Sequence, residues 1–388
     1  MAVEKLNIDR FLEFSQNHLI IDVRSPGEYN HAHIPGAINI PLFTDEERKI
    51  VGTTYKQKSR EDAIKVGLEF FAPKMKSLVE EAERIYELRI RNYDMNDEIV
   101  NRKSPPDRVI RAGKIVNIYC WRGGMRSAGV AWLLDLYGFQ VYTLAGGYKK
   151  FRNYVLDTFK LPFHFRILGG YTGSGKTETL NALQEKGEKV IDLEKLACHK
   201  GSAFGNIGMP AQPSQEMFEN LLSLELQAAS FKPNSHVSRF TSHEQLSTSP
   251  IWLEDESQRL GHVNIPNDLW KTMRKSPIYF LDIPFEERLR HITEEYGQLD
   301  KQKMLDAIDR IREKLGGLNA KLAAQLLNEG NTLESFRILL EYYDRAYFRS
   351  MHNRESLNSL LNSIESMSIT PENANLLIRH PKPAFEKI

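Results

Sequence analysis

Twice along this chain an apolar run of strand length meets a glycine-rich turn and resumes as a helix. Ile115-Val-Asn-Ile-Tyr119 leads into Cys120-Trp-Arg-Gly-Gly-Met-Arg126-Ser127, and Phe163 to Leu168 leads into Gly170-Tyr-Thr-Gly-Ser-Gly175-Lys176-Thr177. A strand that passes through a tight turn into a helix is a unit of α/β architecture on a parallel sheet. Each turn also aims backbone N–H groups at one point, where a tetrahedral or diphosphate-like anion fits. A chain with two such cradles is expected to work on two phosphorus-bearing substrates.

The length of 388 residues suits two domains, each burying its own core. The first series of strands and helices is expected over residues 1–158. It holds the runs Leu19–Val23, Ile34–Pro41, Ile115–Tyr119 and Val141–Leu144, the helix Ser127–Tyr137, and a charged helical insert over about 45–112. In that insert Leu68, Phe71, Met75, Leu78, Ala82 and Ile85 fall near helical spacing. The second series, 159–388, opens on the strand before the phosphate loop and continues with Lys189–Asp192 and apolar runs ending at Leu253 and Leu281. From Asp300 to the end the pattern reads as helical.

No apolar run approaches the roughly 20 residues that cross a bilayer, and the start lacks a signal peptide's basic and apolar regions. Two cysteines, Cys120 and Cys198, are too few for a disulfide framework, so a reduced, cytoplasmic protein is expected. Neither cysteine nor His199 has a partner at zinc spacing, so no structural metal is expected. A net charge of +1 leaves any RNA contact to local basic patches, in the insert, from Arg84 to Lys114, and at Lys149-Lys150-Phe-Arg152. Tyr55 or Trp121 would be available to stack on a base, though solvated helix faces explain each patch as well.

The cysteine stands at a strand end, before a helix and between basic side chains. Loop amides, the helix N-terminus, Arg122 and Arg126 would together favour a thiolate. Gly123 and Gly124 permit the positive φ angles that turn successive amides toward one anion, with Trp121, Met125 and Ser127 completing the loop. A buried structural cysteine is the plainer alternative. Upstream, Asp22-Val-Arg-Ser-Pro-Gly-Glu28-Tyr29 and His33-Ile-Pro-Gly-Ala-Ile-Asn-Ile-Pro41 resemble the N-terminal signature of rhodanese domains. That resemblance implies structural roles for Asp22, Arg24 and Glu28, and sulfur-transfer chemistry at Cys120. The loop departs from most sulfurtransferases of this fold, with five residues between Cys120 and Arg126 in place of four. Five is the spacing of cysteine phosphatases, including those on the rhodanese fold, and a longer loop encloses a phosphorus centre with its oxygens.

Gly170-x-x-x-x-Gly175-Lys176-Thr177 matches the Walker A pattern in full, between a strand and a helix as that pattern requires. Gly170, Gly173, Ser174 and Gly175 would cradle phosphates with backbone amides, Lys176 would meet the terminal phosphate, and Thr177 would bind Mg²⁺. Asp192, Glu254 and Asp255, at strand ends, are candidates to support the metal, although strand-end solvation explains them equally. Tyr279-Phe-Leu-Asp-Ile-Pro284 before Glu287-Arg288 is similar to an element of small P-loop kinases, which would let Arg288 reach a phosphate.

Together the five-residue cysteine loop and the fused Walker loop resemble the tRNA 2-selenouridine synthase family over nearly the whole chain. The likeness includes Asp192-Leu-Glu-Lys-Leu-Ala-Cys-His199, Glu254-Asp-Glu256-Ser257-Gln-Arg259-Leu-Gly261 and Leu340-Glu-Tyr-Tyr343-Asp344. After Asp344 the family has proline and tyrosine, whereas this chain has Arg345-Ala-Tyr347. The resemblance implies a rhodanese-like domain joined to a P-loop NTPase-like domain with C-terminal helices. It implies exchange of sulfur for selenium in the wobble 2-thiouridine of lysine-, glutamate- and glutamine-type tRNA. The co-substrates would be geranyl diphosphate and selenophosphate, with an S-geranyl intermediate and a selenophosphate-supplying enzyme as partner. Three other readings stay open: a cysteine phosphatase, a small-molecule kinase with an accessory rhodanese domain, and a non-catalytic tRNA-binding scaffold.

Overall fold

A computed structural model describes residues 3–99, 114–230 and 249–380, the side chains of 90–99 excepted. Residues 100–113 of the basic stretch between Arg84 and Lys114, and the last eight residues, lie outside the described residues. The chain divides into two compact units, Met1–Asp157 and Thr158–Ile388.

In the first unit the strands β1 (Glu4–Leu6), β2 (Leu19–Asp22), β3 (Ile38–Asn39), β4 (Ile115–Tyr119) and β5 (Gln140–Leu144) form a parallel sheet ordered β1-β5-β4-β2-β3. β2 and β4 are buried along their whole length, as continuous apolar runs in the middle of a parallel sheet must be. Helix Met125–Tyr137 packs Val130, Ala131 and Leu134 into the core with Leu19, Ile21, Val116 and Ile118, and stops at Gly138, whose left-handed φ of 109° caps it. The insert is helical over Asp45–Gln57, Arg60–Phe71 and Met75–Ile99. Phe71, Leu78, Ala82 and Ile85 face the core as their spacing predicts, while Leu68 is 55% exposed. The strand expected over 34–41 shrinks to two residues. Pro35 and Pro41 remove ladder donors, and side chains take over: Asn39 donates to the Asp22 and Arg24 carbonyls, and Tyr29 to that of Ala37.

The second unit holds β6 (Phe165–Gly169), β7 (Lys189–Val190), β8 (Ile251–Glu254), the hairpin β9 (Arg259–Leu260) and β10 (Val263–Asn264), then β11 (Ile278–Asp282) and β12 (Leu361–Glu365). Its parallel sheet is ordered β12-β11-β6-β8-β7. Leu168, Trp252, Tyr279 and Leu281 pack against Leu180 and Leu183 of helix Lys176–Glu185. A second core joins Leu289 and Ile292 to the C-terminal helices through Met304, Ile308, Leu327, Phe336 and Leu340. The expected all-helical C-terminus is corrected by β12. Of its residues only Ile364 is buried, which suits an edge strand and leaves little apolar signal in the sequence. β7 ends two residues early, because Asp192 turns out of the strand and caps helix Leu193–Ala197, accepting the Lys195 amide at 2.7 Å.

Candidate functional site

Each cradle follows the middle strand of a five-stranded parallel sheet, β4 in the first unit and β6 in the second. Such sheets bind ligands at the carboxyl ends of their strands, where neighbouring crossovers leave a crevice.

Cys120 sits at the end of β4, buried at the floor of its loop, while Trp121, Arg122, Gly124 and Met125 are exposed above it. Its Sγ lies 3.2 Å from the Ser127 hydroxyl, which also donates to the Gly124 carbonyl at 3.1 Å. The loop is clamped from outside, the amides of Tyr148 and Lys149 bonding the carbonyls of Cys120 and Trp121 at 2.8 and 3.0 Å. Gly123 adopts φ 62°, and a Cβ there would fall 2.5 Å from the Leu144 carbonyl oxygen, so conformation and space both demand glycine. Gly124 has φ −102° and needs no such freedom. Among the described residues the amides of 122–126 donate to no protein acceptor, which leaves them available to an anion.

The upstream residues of the signature support this loop. Asp22 and Arg24 form a buried pair at 2.6 Å, with Arg24 also bonded to the Ala32 carbonyl and stacked 3.9 Å from the Tyr148 ring centre. Arg126 pairs with Glu28 at 2.9 Å. Burial would raise the Glu28 carboxyl, but Arg126, then Arg48 and the Ser25 amide, outweigh it and hold the group below the usual carboxylate range.

The phosphate loop lines a cavity of about 410 Å³ in the second unit. Gly173 and Gly175 take φ 78° and 73°, and a Cβ on either would strike Ile292 or Ile369. Lys176 Nζ bonds the Gly170 carbonyl at 3.2 Å, within its own loop. Ser174 is buried, and its hydroxyl finds no protein partner among the described residues. Lys200 and His291 join Lys176 in the cavity wall, facing Glu178, Glu194, Glu256 and Glu295. His291 stands 3.4 Å from Glu178, whose hydrogen bond raises the imidazole above its ordinary value.

The sequence-predicted acids are brought near this cavity unequally. Asp192 is spent on its helix cap. Asp255 lines the cavity, but its oxygens accept from Arg354 at 2.7 Å and Tyr347 at 2.8 Å. Glu254 is buried, one oxygen accepting the Glu194 amide at 2.8 Å and the other unpartnered. Two carboxylates absent from that prediction, Glu194 and Glu256, do line the cavity. Burial, then the charges of Glu256 and Glu254, push Glu194 up to about 10. Burial also raises Glu254 and Glu256, with Lys176 opposing the shift at Glu256. Carboxylates this crowded favour a hard cation, and with the Thr177 hydroxyl they offer the oxygen donors that Mg²⁺ takes. Among the described residues no three His, Cys, Asp or Glu side chains converge as direct ligands. The fit is therefore to an ion that keeps waters and shares phosphate oxygens.

Arg288 is turned away from the cavity. It forks onto Asp344 at 2.9 and 2.7 Å and bonds the carbonyls of Ile283 and Thr172, the latter inside the phosphate loop. Tyr347 accepts the Gly170 amide at 3.3 Å while donating to Asp255. Beside the cavity lies a small apolar annex walled by Phe204, Ile292, Phe336, Leu339 and Leu340. It shares Thr172, Ser202, Ile292, Tyr296 and Tyr343 with the larger space, and the Tyr343 hydroxyl is taken by the Ala203 amide.

Residues 163–368 match the family described as the tRNA 2-selenouridine synthase AAA domain, and residues 9–154 match the Rhodanese-like domain. The chain is 31% identical over 397 residues to a tRNA 2-selenouridine synthase of Bdellovibrio bacteriovorus, covering 91% of this chain and 94% of that one. It is 34% identical over 372 residues to the synthase of Hydrogenovibrio crunogenus, covering 88% and 91%. To that of Nitrosomonas europaea it is 30% identical over 383 residues, covering 86% and 89%. The two units are thus a rhodanese-like domain and a P-loop-like domain. No described helix is long and apolar enough to cross a membrane.

Proposed function

The chain belongs to the tRNA 2-selenouridine synthase family, and on that premise we propose that it exchanges sulfur for selenium in the wobble 2-thiouridine of tRNA. The sulfur doubly bonded to the pyrimidine is a poor leaving group, so it is first alkylated with geranyl diphosphate. The tRNA sulfur attacks the allylic carbon, the carbon–oxygen bond breaks, and diphosphate leaves with the electron pair while the base releases its N3 proton. The phosphate loop holds the diphosphate: backbone amides and Lys176 bind its oxygens, and Thr177 with the neighbouring carboxylates would hold Mg²⁺. When bound, the ion neutralises charge that builds on the leaving group.

The observation that carries this reading is the annex. A wall of phenylalanine, leucine and isoleucine opening onto a phosphate cradle suits a diphosphate ester of a hydrocarbon. A nucleotide base there would find few hydrogen-bond partners. Selenophosphate is the selenium donor, bound in the Cys120 loop by the free amides and Arg126. The substrates are tRNAs of the lysine, glutamate and glutamine type, a selenophosphate-forming enzyme supplies the donor, and the setting is the cytoplasm.

The test supplies thiolated tRNA with geranyl diphosphate and selenophosphate, separately and together, and follows the wobble base by mass. The wild type should add the geranyl group with the first and selenium only with both. Lys176→Ala should lose the geranyl step, and Cys120→Ser should stop at the geranylated base. Full geranylation by Lys176→Ala would refute the assignment of the phosphate loop, and an unchanged base under every combination would refute the whole reading.

A further inference from the structure

We propose that Cys120 attacks the phosphorus of the selenium donor, forming a transient S-phosphocysteine and freeing selenium as hydrogen selenide. The inference rests on selenophosphate being the donor and concerns how the cysteine loop uses it. Selenium is at the selenide level in selenophosphate and again in 2-selenouridine. A cysteine perselenide would place it at a higher oxidation level between the two, so that route needs an oxidation and then a reduction. Attack on phosphorus leaves every oxidation state unchanged.

The loop is built for that attack. Five residues separate Cys120 from Arg126, giving room for a phosphorus centre with three oxygens, and the amides of 122–126 donate to no protein group among the described residues. The thiolate forms the S–P bond as the P–Se bond breaks, and selenium departs with the electron pair and the donor's proton. Hydrogen selenide is a stronger acid than a thiol or an alcohol. It therefore leaves without a proton from the protein. Ser127, its hydroxyl 3.2 Å from Sγ, can turn the proton it gives the Gly124 carbonyl toward the thiolate that must leave next. Water then attacks phosphorus, the S–P bond breaks, and inorganic phosphate is released. Hydrogen selenide attacks C2 of the alkylated base, the C–S bond breaks, the selenium proton passes to N3, and the alkylthiolate takes a proton from water.

The experiment mixes the full chain with selenophosphate, with and without geranylated tRNA, quenches in denaturant, and examines Cys120. Phosphoryl and selenium additions share a nominal mass, so phosphorus NMR and the selenium isotope envelope are read together. The wild type should carry a small phosphorus signal on Cys120 and release phosphate. Ser127→Ala should accumulate at least fivefold more S-phosphocysteine, because its second step is slowed, and Cys120→Ser should carry none. Selenium on Cys120, or phosphite as the product, would overturn the proposal. So would selenium transfer by wild type with neither variant nor wild type ever phosphorylated. A wild type that leaves selenophosphate untouched even with geranylated tRNA would overturn the donor assignment too, which separates the two failures.

Discussion

Replacing Arg288 decides whether this arginine shapes the phosphate loop or serves as a ligand within it. Its side chain is 4% exposed and its guanidinium is spent on Asp344 and on the Ile283 and Thr172 carbonyls. Arg288→Ala strands all of these acceptors. Removing one partner of a buried pair costs about 3–5 kcal/mol. Asp344 has two ways to soften that cost: it is 20% exposed, and burial already raises its carboxyl so that it can protonate. The orphaned carbonyls act the other way, so the expected loss is about 3–4 kcal/mol. Arg288→Met combined with Asp344→Leu removes both charges and should recover at least half of it. Calorimetric unfolding of the second unit reads the stability, and pyrophosphate titration reads the loop. If Arg288 only positions Thr172, Asp344→Asn weakens pyrophosphate binding by loosening the fork. A phosphate-binding Arg288 would be freed by Asp344→Asn and would bind at least as well. The reasoning fails if Arg288→Ala stays within about 1 kcal/mol of wild type. It also fails if Asp344→Asn leaves pyrophosphate affinity intact while Arg288→Ala abolishes it.

Leu340→Trp fills the annex and should raise KM for geranyl diphosphate about tenfold while changing that for the shorter dimethylallyl ester less than about threefold; equal losses on both would deny the annex a role in chain binding. Gly123→Ala forces a Cβ to 2.5 Å from the Leu144 carbonyl at φ 62°, at a cost of about 2 kcal/mol or more. Mass analysis of the base should find alkylation preserved and selenation lost, and preserved selenation would mean that the loop has room to adapt. Glu194 is held up to about 10 from an ordinary 4.5, so the folded chain keeps a proton that the unfolded chain has released. Stability therefore falls as pH climbs through that window. Glu194→Gln should melt higher than wild type by a margin that grows with pH, and Mg²⁺ with pyrophosphate should narrow it; melting curves that run parallel across pH would contradict the assignment.

What the sequence made legible is what a few adjacent residues determine. The strand–turn–helix junctions at Cys120 and Lys176 are local patterns, and both appear in the fold as read. The carboxylates at the phosphate loop were harder. Glu194 and Glu256 converge because β7 and β8 pair in register and release their chains on the same side, a relation between segments some 60 residues apart. Glu254 and Asp255 stand at a strand end, yet Arg354, Tyr347 and the Glu194 amide claim most of their oxygens. Arg345-Ala-Tyr347 departs from the family's proline and tyrosine. In space Tyr347 binds both Gly170 and Asp255, so it ties the phosphate loop to the end of β8.

The two loops differ in their electrostatic surroundings. At the cysteine loop Arg126 is balanced by Glu28 alone, Arg122 is exposed, and the free amides supply most of the remaining positive field. A selenophosphate can enter there by displacing one carboxylate from one guanidinium. At the phosphate loop Lys176, Lys200 and His291 face Glu178, Glu194, Glu256 and Glu295, and burial favours the protonated form of Glu194 and Glu256. The carboxylates are then more than metal supports. Burial first, and then neighbouring acids, raises the proton affinities of Glu194, Glu254 and Glu256, so a divalent cation bound among them would displace protons. On the proposed route that property suits the step whose by-product is a chelating diphosphate, whereas hydrolysis at the cysteine loop would need no such ion.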